Sequence, residues 1–488
     1  MKKHFCLIIL SFLFSFESIS QKIIDVPFTS DDKISIDGIL EKREWQNSEK
    51  LSLDFETEPG YNTTPVVETV GFIQYSENFI YVAFHAKTNE PVRAAVRKRD
   101  DMGSLGNDLI GISIDTYGDG RNNVFIGSNP LGSQIDVRIL NSLTDEGRYD
   151  LAYDLEYESV GVIGDNEYFV ELKIPFSSIS FSNNKIQKWK FSFVRRYLDY
   201  AISTSKDDRN NSCITCQLND FIVLDKFKVD RKFDLLPYIS SNLVGNKDDN
   251  SESMNYDKIK PNFGVGINAE LSKTLSLELT INPDFSQVEA DVTKIDANSA
   301  YTLSYPEKRP FFNNGVDILK LNSSDLQPFY SRSINDPLYA LKMLNQGENS
   351  RFLFLSSIDR NSPYLIAGND QSYFGEGGRS LINILRYQHL LGKGSKIGIL
   401  SSSRVYKDGG YGNLFGVDGL IQISNNIRFA FDILKNFNLE PNKNWIDSDH
   451  YFGERTINLD GEKFNGSGIS LGITRKTERW TTYIGYKH

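Results

Sequence analysis

Asp115, Asp119 and Asn122 lie together in the run Asp115-Thr116-Tyr117-Gly118-Asp119-Gly120-Arg121-Asn122-Asn123. Carboxylate and amide oxygens at this spacing, with glycines to bend the backbone, suit a hard cation such as calcium. The run lacks the terminal Glu of an EF-hand loop. A plain Asp-Gly hairpin turn is therefore the favoured reading, with calcium the one cofactor worth testing. A second chemistry needs no metal. Tyr117, Arg121, Asn129, Gln134, Asp136, Tyr149 and Tyr153 offer aromatic faces for pyranose C–H groups and polar side chains for hydroxyls. Those are the two requirements of a saccharide site. Trp45 and Trp189 read as core anchors rather than stacking platforms.

Catalytic patterns are scarce. The histidines His4, His85, His389, His450 and His488 form no HExxH or other paired spacing. His85 sits in an alternating apolar strand and reads as structural. Gly468-Ile469-Ser470-Leu471-Gly472 matches GxSxG, but it falls mid-strand, where no strand-to-helix elbow exists. A glycosidase needs two carboxylates at a defined separation, and 64 Asp and Glu give no basis for choosing a pair. No catalytic residue is assigned, and the chain reads as non-enzymatic. Cys213 and Cys216 form a CxxC, open to three readings: zinc half-site, redox pair or short disulfide. The disulfide is favoured in an exported chain.

The elements that must position these residues are strands. Residues 66–87 form a hairpin around Ser76-Glu77-Asn78, followed by apolar runs at 109–115, 122–127, 134–140, 168–176 and 189–196. Short strands at this spacing predict a β-sandwich over 22–225. Character changes after Lys226-Phe227-Lys228. Phe263, Val265, Ile267, Ala269 and Leu271 alternate with Gly264, Gly266, Asn268 and Glu270. Leu275, Leu277, Leu279 and Ile281 alternate with Ser276, Glu278 and Thr280. Ile427, Phe429, Phe431 and Ile433 alternate with Arg428, Ala430 and Asp432, and Trp480, Thr482, Ile484 and Tyr486 share one side of the last strand. Such alternation predicts an antiparallel transmembrane β-barrel over 230–488, apolar toward lipid and small or polar toward a wet lumen. A soluble sandwich is the rival, because its strands alternate too.

Residues 282–313 break the pattern. They are expected to form either a long solvent loop or an insertion folded into the lumen, with Glu307 and Arg309 meeting lumen charges. About eleven candidate strands follow residue 233, whereas single-chain bacterial barrels use even numbers. The last strand also ends on His488 rather than an aromatic residue. An incomplete barrel, as in a fragment, is the expectation.

Residues 1–20 carry Lys2 and Lys3, an apolar run from Phe5 to Phe16, and Ser18-x-Ser20, the parts of a secretory signal peptide. No later window is apolar enough for a transmembrane helix. The net charge of −10 argues against a nucleic-acid partner. Apolar residues at 39% and aromatics at 12% exclude a wholly disordered chain.

Two stretches carry a resemblance. Ile36-Asp37-Gly38 through Trp45, the hairpin at 70–87, Ile114-Asp115-x-Tyr117-x-Asp119-x-Arg121, Gly127-x-Asn129-Pro130 through Gln134-x-Asp136, and Glu171 through Ile174-Pro175-Phe176 together resemble the family 9 carbohydrate-binding module. The form they resemble is the one found at the start of a family of bacterial outer-membrane proteins of uncharacterised function. Asn282-Pro283-Asp284-Phe285 through Asp291, and on to Pro306-Glu307-Lys308-Arg309-Pro310-Phe311-Phe312, is similar to the signature of that family's barrel domain. The resemblance implies an exported protein with a periplasmic sandwich fused to an outer-membrane barrel, with glycan and outer-membrane lipid as partners. Family 9 modules bind sugar ends, often between two tryptophans, and carry calcium. This chain has no Trp pair at platform positions, so Tyr117, Tyr149 and Tyr153 would have to substitute. The expected function is glycan binding or handling. The alternatives are a glycoside hydrolase or accessory of carbohydrate catabolism, and a structural envelope protein that has lost sugar binding.

Overall fold

The computed structural model describes residues 21–100, 108–141, 148–151, 153–228, 232–243, 245–246, 255–256, 258–283, 307, 309–323, 328–367, 372–443, 451–452, 455–456 and 459–488. The leader at 1–20, and residues 284–306 and 308 of the polar segment, lie outside the described residues. The protein is nearly all β.

The first half contains β1 (Ile23–Asp25), β2 (Glu49–Ser52), β3 (Phe55–Glu58), β4 (Thr69–Tyr75), β5 (Phe79–Lys87), β6 (Leu109–Asp115), β7 (Asn122–Ser128), β8 (Gln134–Leu140), β9 (Tyr149–Asp150), β10 (Glu158–Gly164), β11 (Glu167–Pro175), β12 (Gln187–Tyr197), β13 (Tyr200–Ser203) and β14 (Asp220–Leu224). One sheet runs β1–β14–β12–β6–β7–β8–β9, with β13 joined to β12 and β3 to β13. The other runs β10–β11–β5–β4–β2. Their facing sides make one core: Trp189, Phe191 and Phe193 of β12 lie against Val82 and Phe84 of β5 and Val170 and Leu172 of β11. Phe84 and Phe193 meet edge-to-face at 5.1 Å. A Cβ on Gly71 would stand 2.4 Å from the Phe193 ring, so glycine is what lets the sheets approach there. Trp45 is buried on the outer side of the smaller sheet with Tyr81 and Ala83.

The second half is a meander of eleven antiparallel strands: β15 (Phe233–Asn242), β16 (Lys260–Glu270), β17 (Leu275–Ile281), β18 (Pro337–Gln346), β19 (Ser350–Ala367), β20 (Ser372–Gly392), β21 (Ser395–Tyr406), β22 (Tyr411–Ser424), β23 (Ile427–Leu439), β24 (Lys463–Lys476) and β25 (Thr481–Lys487). Each strand pairs with the next in chain order. Among the described residues β15 and β25 pair on one side only, and no closed barrel is present.

The two faces of this sheet are inverted relative to a water-soluble one. Tyr387, Ile399, Val417, Ile433 and Ile469 stand side by side in register across β20–β24. Each is between 36% and 51% exposed. One residue along each strand, the covered row reads Gln388, Gly398, Asp418, Asp432 and Ser470. Gln388, Asp418, Asp432 and Ser470 are at most 4% exposed. Leu235, Ile267, Leu279 and Leu341 continue the outward apolar face on β15–β18. Toward one end the outward positions turn polar, in the row Asn383, Ser403, Asn413, Phe437 and Asn465. Lys435 interrupts the apolar run just inside that row, its ammonium 5.9 Å from the Phe437 ring. Phe429 and Phe431 stack on each other at 5.9 Å, and Trp480 is exposed.

The covered face is filled by the described part of the segment between β17 and β18. Phe312, Ile318, Leu319 and Ile334 pack on Leu344, Leu353, Leu355, Ile382, Ile384 and Leu400. Arg309 is buried and bonded to Glu307 (2.8 Å), the Ile334 carbonyl (2.6 Å) and the Ser331 carbonyl (2.9 Å). The insertion thus lines the inner side, as one of the two sequence expectations had it. Glu307 and Arg309 pair with each other within that segment.

Candidate functional site

The loop between β6 and β7 is a turn built on one carboxylate. Asp115 Oδ1 accepts the N–H groups of Tyr117 (3.2 Å) and Gly118 (2.9 Å), and Oδ2 accepts that of Gly120 (2.9 Å). Gly118 and Gly120 have φ of +70° and +74°, where a side chain is strained. Asp119 accepts from Arg121, whose Nε lies 2.9 Å from Oδ2. Asn122 is half-buried at the start of β7. The carboxylates of Asp115 and Asp119 therefore already face N–H donors, which is the geometry of the hairpin turn.

The turn presents Tyr117 and Arg121 to the second half of the chain. Arg121 Nη1 donates to the Gly347 carbonyl (2.8 Å) and Nη2 to the Glu348 carbonyl (2.7 Å). Its guanidinium lies 3.8 Å from the Tyr117 ring centroid, and the Tyr117 hydroxyl donates to the Gln346 carbonyl (2.8 Å). These carbonyls belong to the β18–β19 turn. Each other short turn at this end of the meander also meets the sandwich. Gly394 N donates to the Asp119 carbonyl (2.7 Å), and Ser212 N donates to the Asn425 carbonyl (2.8 Å). Glu478 N donates to Asn210 Oδ1 (3.0 Å), and Lys273 lies 5.4 Å from the Phe227 ring.

Cys213 and Cys216 are joined as a disulfide in this junction. Thr215 Oγ1 donates to the Gly120 carbonyl (2.5 Å), so the disulfide loop sits against the Asp-Gly turn. Deeper in, Arg138 lies over the Tyr153 ring at 4.6 Å and pairs with Asp150 (2.5 Å) and Asp317 (2.9 Å). Asp317 in turn pairs with Arg351 (2.7 Å).

Asn129, Gln134 and Asp136 lie elsewhere. Ser128 and Gln134 are register partners at one end of the β7–β8 ladder, while Asn122 and Leu140 are partners at the other. Six strand steps separate those ends, about 20 Å. Asn129 is buried, its Oδ1 accepting from Leu131 N (3.0 Å) and Ser133 N (2.9 Å). Gln134 Nε2 donates to the Tyr157 carbonyl (2.6 Å). Asp136 accepts from Arg99 (2.7 Å) and from Leu155 N (2.7 Å). Burial, then the neighbouring Asp100, pushes the Asp136 carboxyl up to about 7. Asp100, Asp136 and Asp154 are close enough to share an ion, but Arg99 pairs with both Asp136 and Asp154. The seven sequence candidates are thus two groups. Tyr117, Arg121 and Tyr153 serve the junction. Asn129, Gln134 and Asp136 hold a second cluster with Arg99. Tyr149 alone of the seven is exposed.

One residue of note is absent from those candidates. Glu171 is fully buried and accepts from Trp45 Nε1 (2.9 Å), Asp37 N (2.9 Å) and Gly38 N (2.7 Å). A Cβ on Gly38, at φ +83°, would stand 2.4 Å from Val162. Burial pushes the Glu171 carboxyl up to about 7 and that of Asp115 up to about 6. Both values exceed those of the unfolded chain, so the folded state keeps a proton that the unfolded state releases. The stabilisation is fully present below about pH 4 and is lost as pH rises through 6 to 7. The sandwich of the full chain in micelles is expected to unfold at higher urea at pH 5 than at pH 8, by on the order of 2 kcal/mol for Glu171. Tryptophan fluorescence would follow it. A midpoint that is flat or rises with pH contradicts the assignment.

Comparison with known proteins adds the following. A family model described as a domain of unknown function (DUF5916) matches residues 231–352, which include the string 282–312. No curated protein matches the chain significantly. A family 9 carbohydrate-binding module from Caldicellulosiruptor kristjanssonii, in complex with cellotriose, is 17% identical, covers 42% of this chain and 94% of its own, with a TM-score of 0.30. The same description with glucose gives 17%, 42%, 96% and 0.30. A loop L8 deletion mutant of OmpT, an outer membrane protein of Vibrio cholerae, is 10% identical, covers 53% of this chain and 93% of its own, with a TM-score of 0.22.

Proposed function

We propose that the chain is an outer-membrane β-barrel protein whose sandwich sits on the periplasmic side and binds or handles glycans. The observation that carries the membrane part is the inverted sheet. Outward Ile399, Val417 and Ile433 alternate with covered Asp418 and Asp432. A sheet in water would bury the first set and expose the second. Bacterial barrels keep short turns on the periplasmic side and longer loops outside. All five turns at the sandwich end (271–274, 347–349, 393–394, 425–426 and 477–480) are short, and the long connections 243–259, 282–336 and 440–462 lie at the other end, which supports a periplasmic sandwich. No helix among the described residues is long and apolar enough to cross a membrane.

The glycan part is supported by the sandwich architecture and by the way the segments carrying the resemblance meet, Glu171 closing on Asp37, Gly38 and Trp45. Tyr149 is the exposed stacking face. A second reading, a structural envelope protein, is favoured by one observation: Tyr117 and Arg121 are engaged with the β18–β19 turn.

Outer-membrane fractionation and gel mobility with and without boiling test the membrane part. Co-sedimentation and a heat-dependent shift are expected, and a chain that stays soluble without detergent refutes it. A glycan array with the full chain in micelles separates the two readings. Binding that Tyr149→Ala weakens supports glycan handling, whereas an empty array leaves the structural role.

A further inference from the structure

A cavity lies on the covered side of the meander. It has a volume of about 450 Å³, lined by Asp234 and Tyr238 of β15, Asn268 and Glu270 of β16, Glu278 of β17, and Phe311 of the insertion. That volume is within the range of about 300–1,000 Å³ usual for small-molecule sites. Its roof is fixed. Asn314 Nδ2 donates to Glu278 Oε1 (2.8 Å), Lys342 pairs with Glu278 (3.0 Å), and Lys342 Nζ donates to the carbonyls of Asn314 (3.0 Å) and Phe311.

A smaller cavity of about 120 Å³ shares Glu270, Ser276 and Asn314 with it and is bounded on the far side by residues 176–181 of the sandwich. The two cavities therefore abut at Glu270, Ser276 and Asn314, with the sandwich on the far side of the smaller one.

We propose that this cavity is a binding site for a short neutral saccharide, held within the wall and next to the sandwich. The proposal rests on the glycan-handling reading above and adds to it a site and a ligand class. Tyr238 and Phe311 supply ring faces for pyranose C–H groups, and Asn268 and Asn314 supply amide donors and acceptors for hydroxyls. With Glu278 paired to Lys342, the lining leaves the carboxylates of Asp234 and Glu270 against the single ammonium of Lys232. A ligand bearing carboxylates is repelled there, and a neutral one is not.

The test is calorimetric titration of the full chain in micelles with cellotriose and with trigalacturonate. Binding of cellotriose is expected, with at least tenfold weaker binding of trigalacturonate. Asn268→Leu keeps the side-chain volume and removes the amide. Ser276→Trp fills the space where the two cavities abut. Each is expected to weaken cellotriose at least tenfold with an unchanged heat-dependent gel shift. Equal affinity for the two sugars, or wild-type affinity in both cavity variants, overturns the proposal. Binding lost in Tyr149→Ala and kept in Asn268→Leu also overturns it, while leaving glycan handling by the sandwich standing.

Discussion

Val417→Lys is expected to cost about 2–4 kcal/mol of folding stability in phospholipid vesicles. Val417 is 44% exposed, on the outward side of β22, between Ile399 and Ile433 in register. Its row lies two rows inside the polar row that includes Asn413 and away from the sandwich end, so it belongs to the middle of the apolar band. A charge there has hydrocarbon around it and no water to accept its hydrogen bonds. The same substitution on a water-exposed strand falls within about 0.5 kcal/mol of neutral. The experiment therefore discriminates by size as well as sign. Reversible guanidinium unfolding in vesicles, read by tryptophan emission, measures it. A change below about 0.5 kcal/mol would mean that water wets this face and that the membrane reading fails.

The period of the strands made this face legible before any coordinates. Arg428, Ala430 and Asp432 are covered, and Ile427, Phe429, Phe431 and Ile433 lie on the outward side, as their alternation implied. Alternation is local, one residue against the next, and survives whatever the strand pairs with. The strand number after residue 233 was legible for the same reason. So was the hairpin turn at Asp115, because an Asp followed closely by glycines, here Gly118 and Gly120, organises the backbone ahead of it.

Long-range partners were not legible. Nothing near Glu171 marks it as the acceptor for Gly38 and Trp45, which lie 133 and 126 residues away. Tyr117 and Arg121 are of the right types for a sugar site. Their polar groups instead meet backbone carbonyls at Gln346, Gly347 and Glu348, more than two hundred residues on. Grouping by residue type joined Asn129 and Gln134, at one end of the β7–β8 ladder, to Tyr117 and Arg121, at the other, because the length of a ladder emerges only once the strands are paired.

Asp317 shows how strongly the two halves depend on one such partner. Its carboxylate is fully buried between Arg138 of the sandwich (2.9 Å) and Arg351 of β19 (2.7 Å). Burial alone would raise its pKa, but the two guanidiniums outweigh burial and hold the carboxyl well below the usual range. Asp317→Ala leaves two buried cations without their shared anion. Removing one partner of a buried ion pair costs about 3–5 kcal/mol, chiefly through the charge left behind. Asp317→Ala is expected to fall in that range by urea unfolding of the sandwich in micelles, and to speed proteolysis at the Asp115–Arg121 turn and the Cys213–Cys216 loop. Arg138 also pairs with Asp150, so Arg138→Ala in the Asp317→Ala background should recover part of the loss and not add to it. Full additivity of the two substitutions would show that Arg138 and Asp317 do not interact. A loss below about 1 kcal/mol for Asp317→Ala would show that water reaches the pair, since ion pairs open to solvent contribute no more than that, and that the sandwich does not seal this end of the sheet.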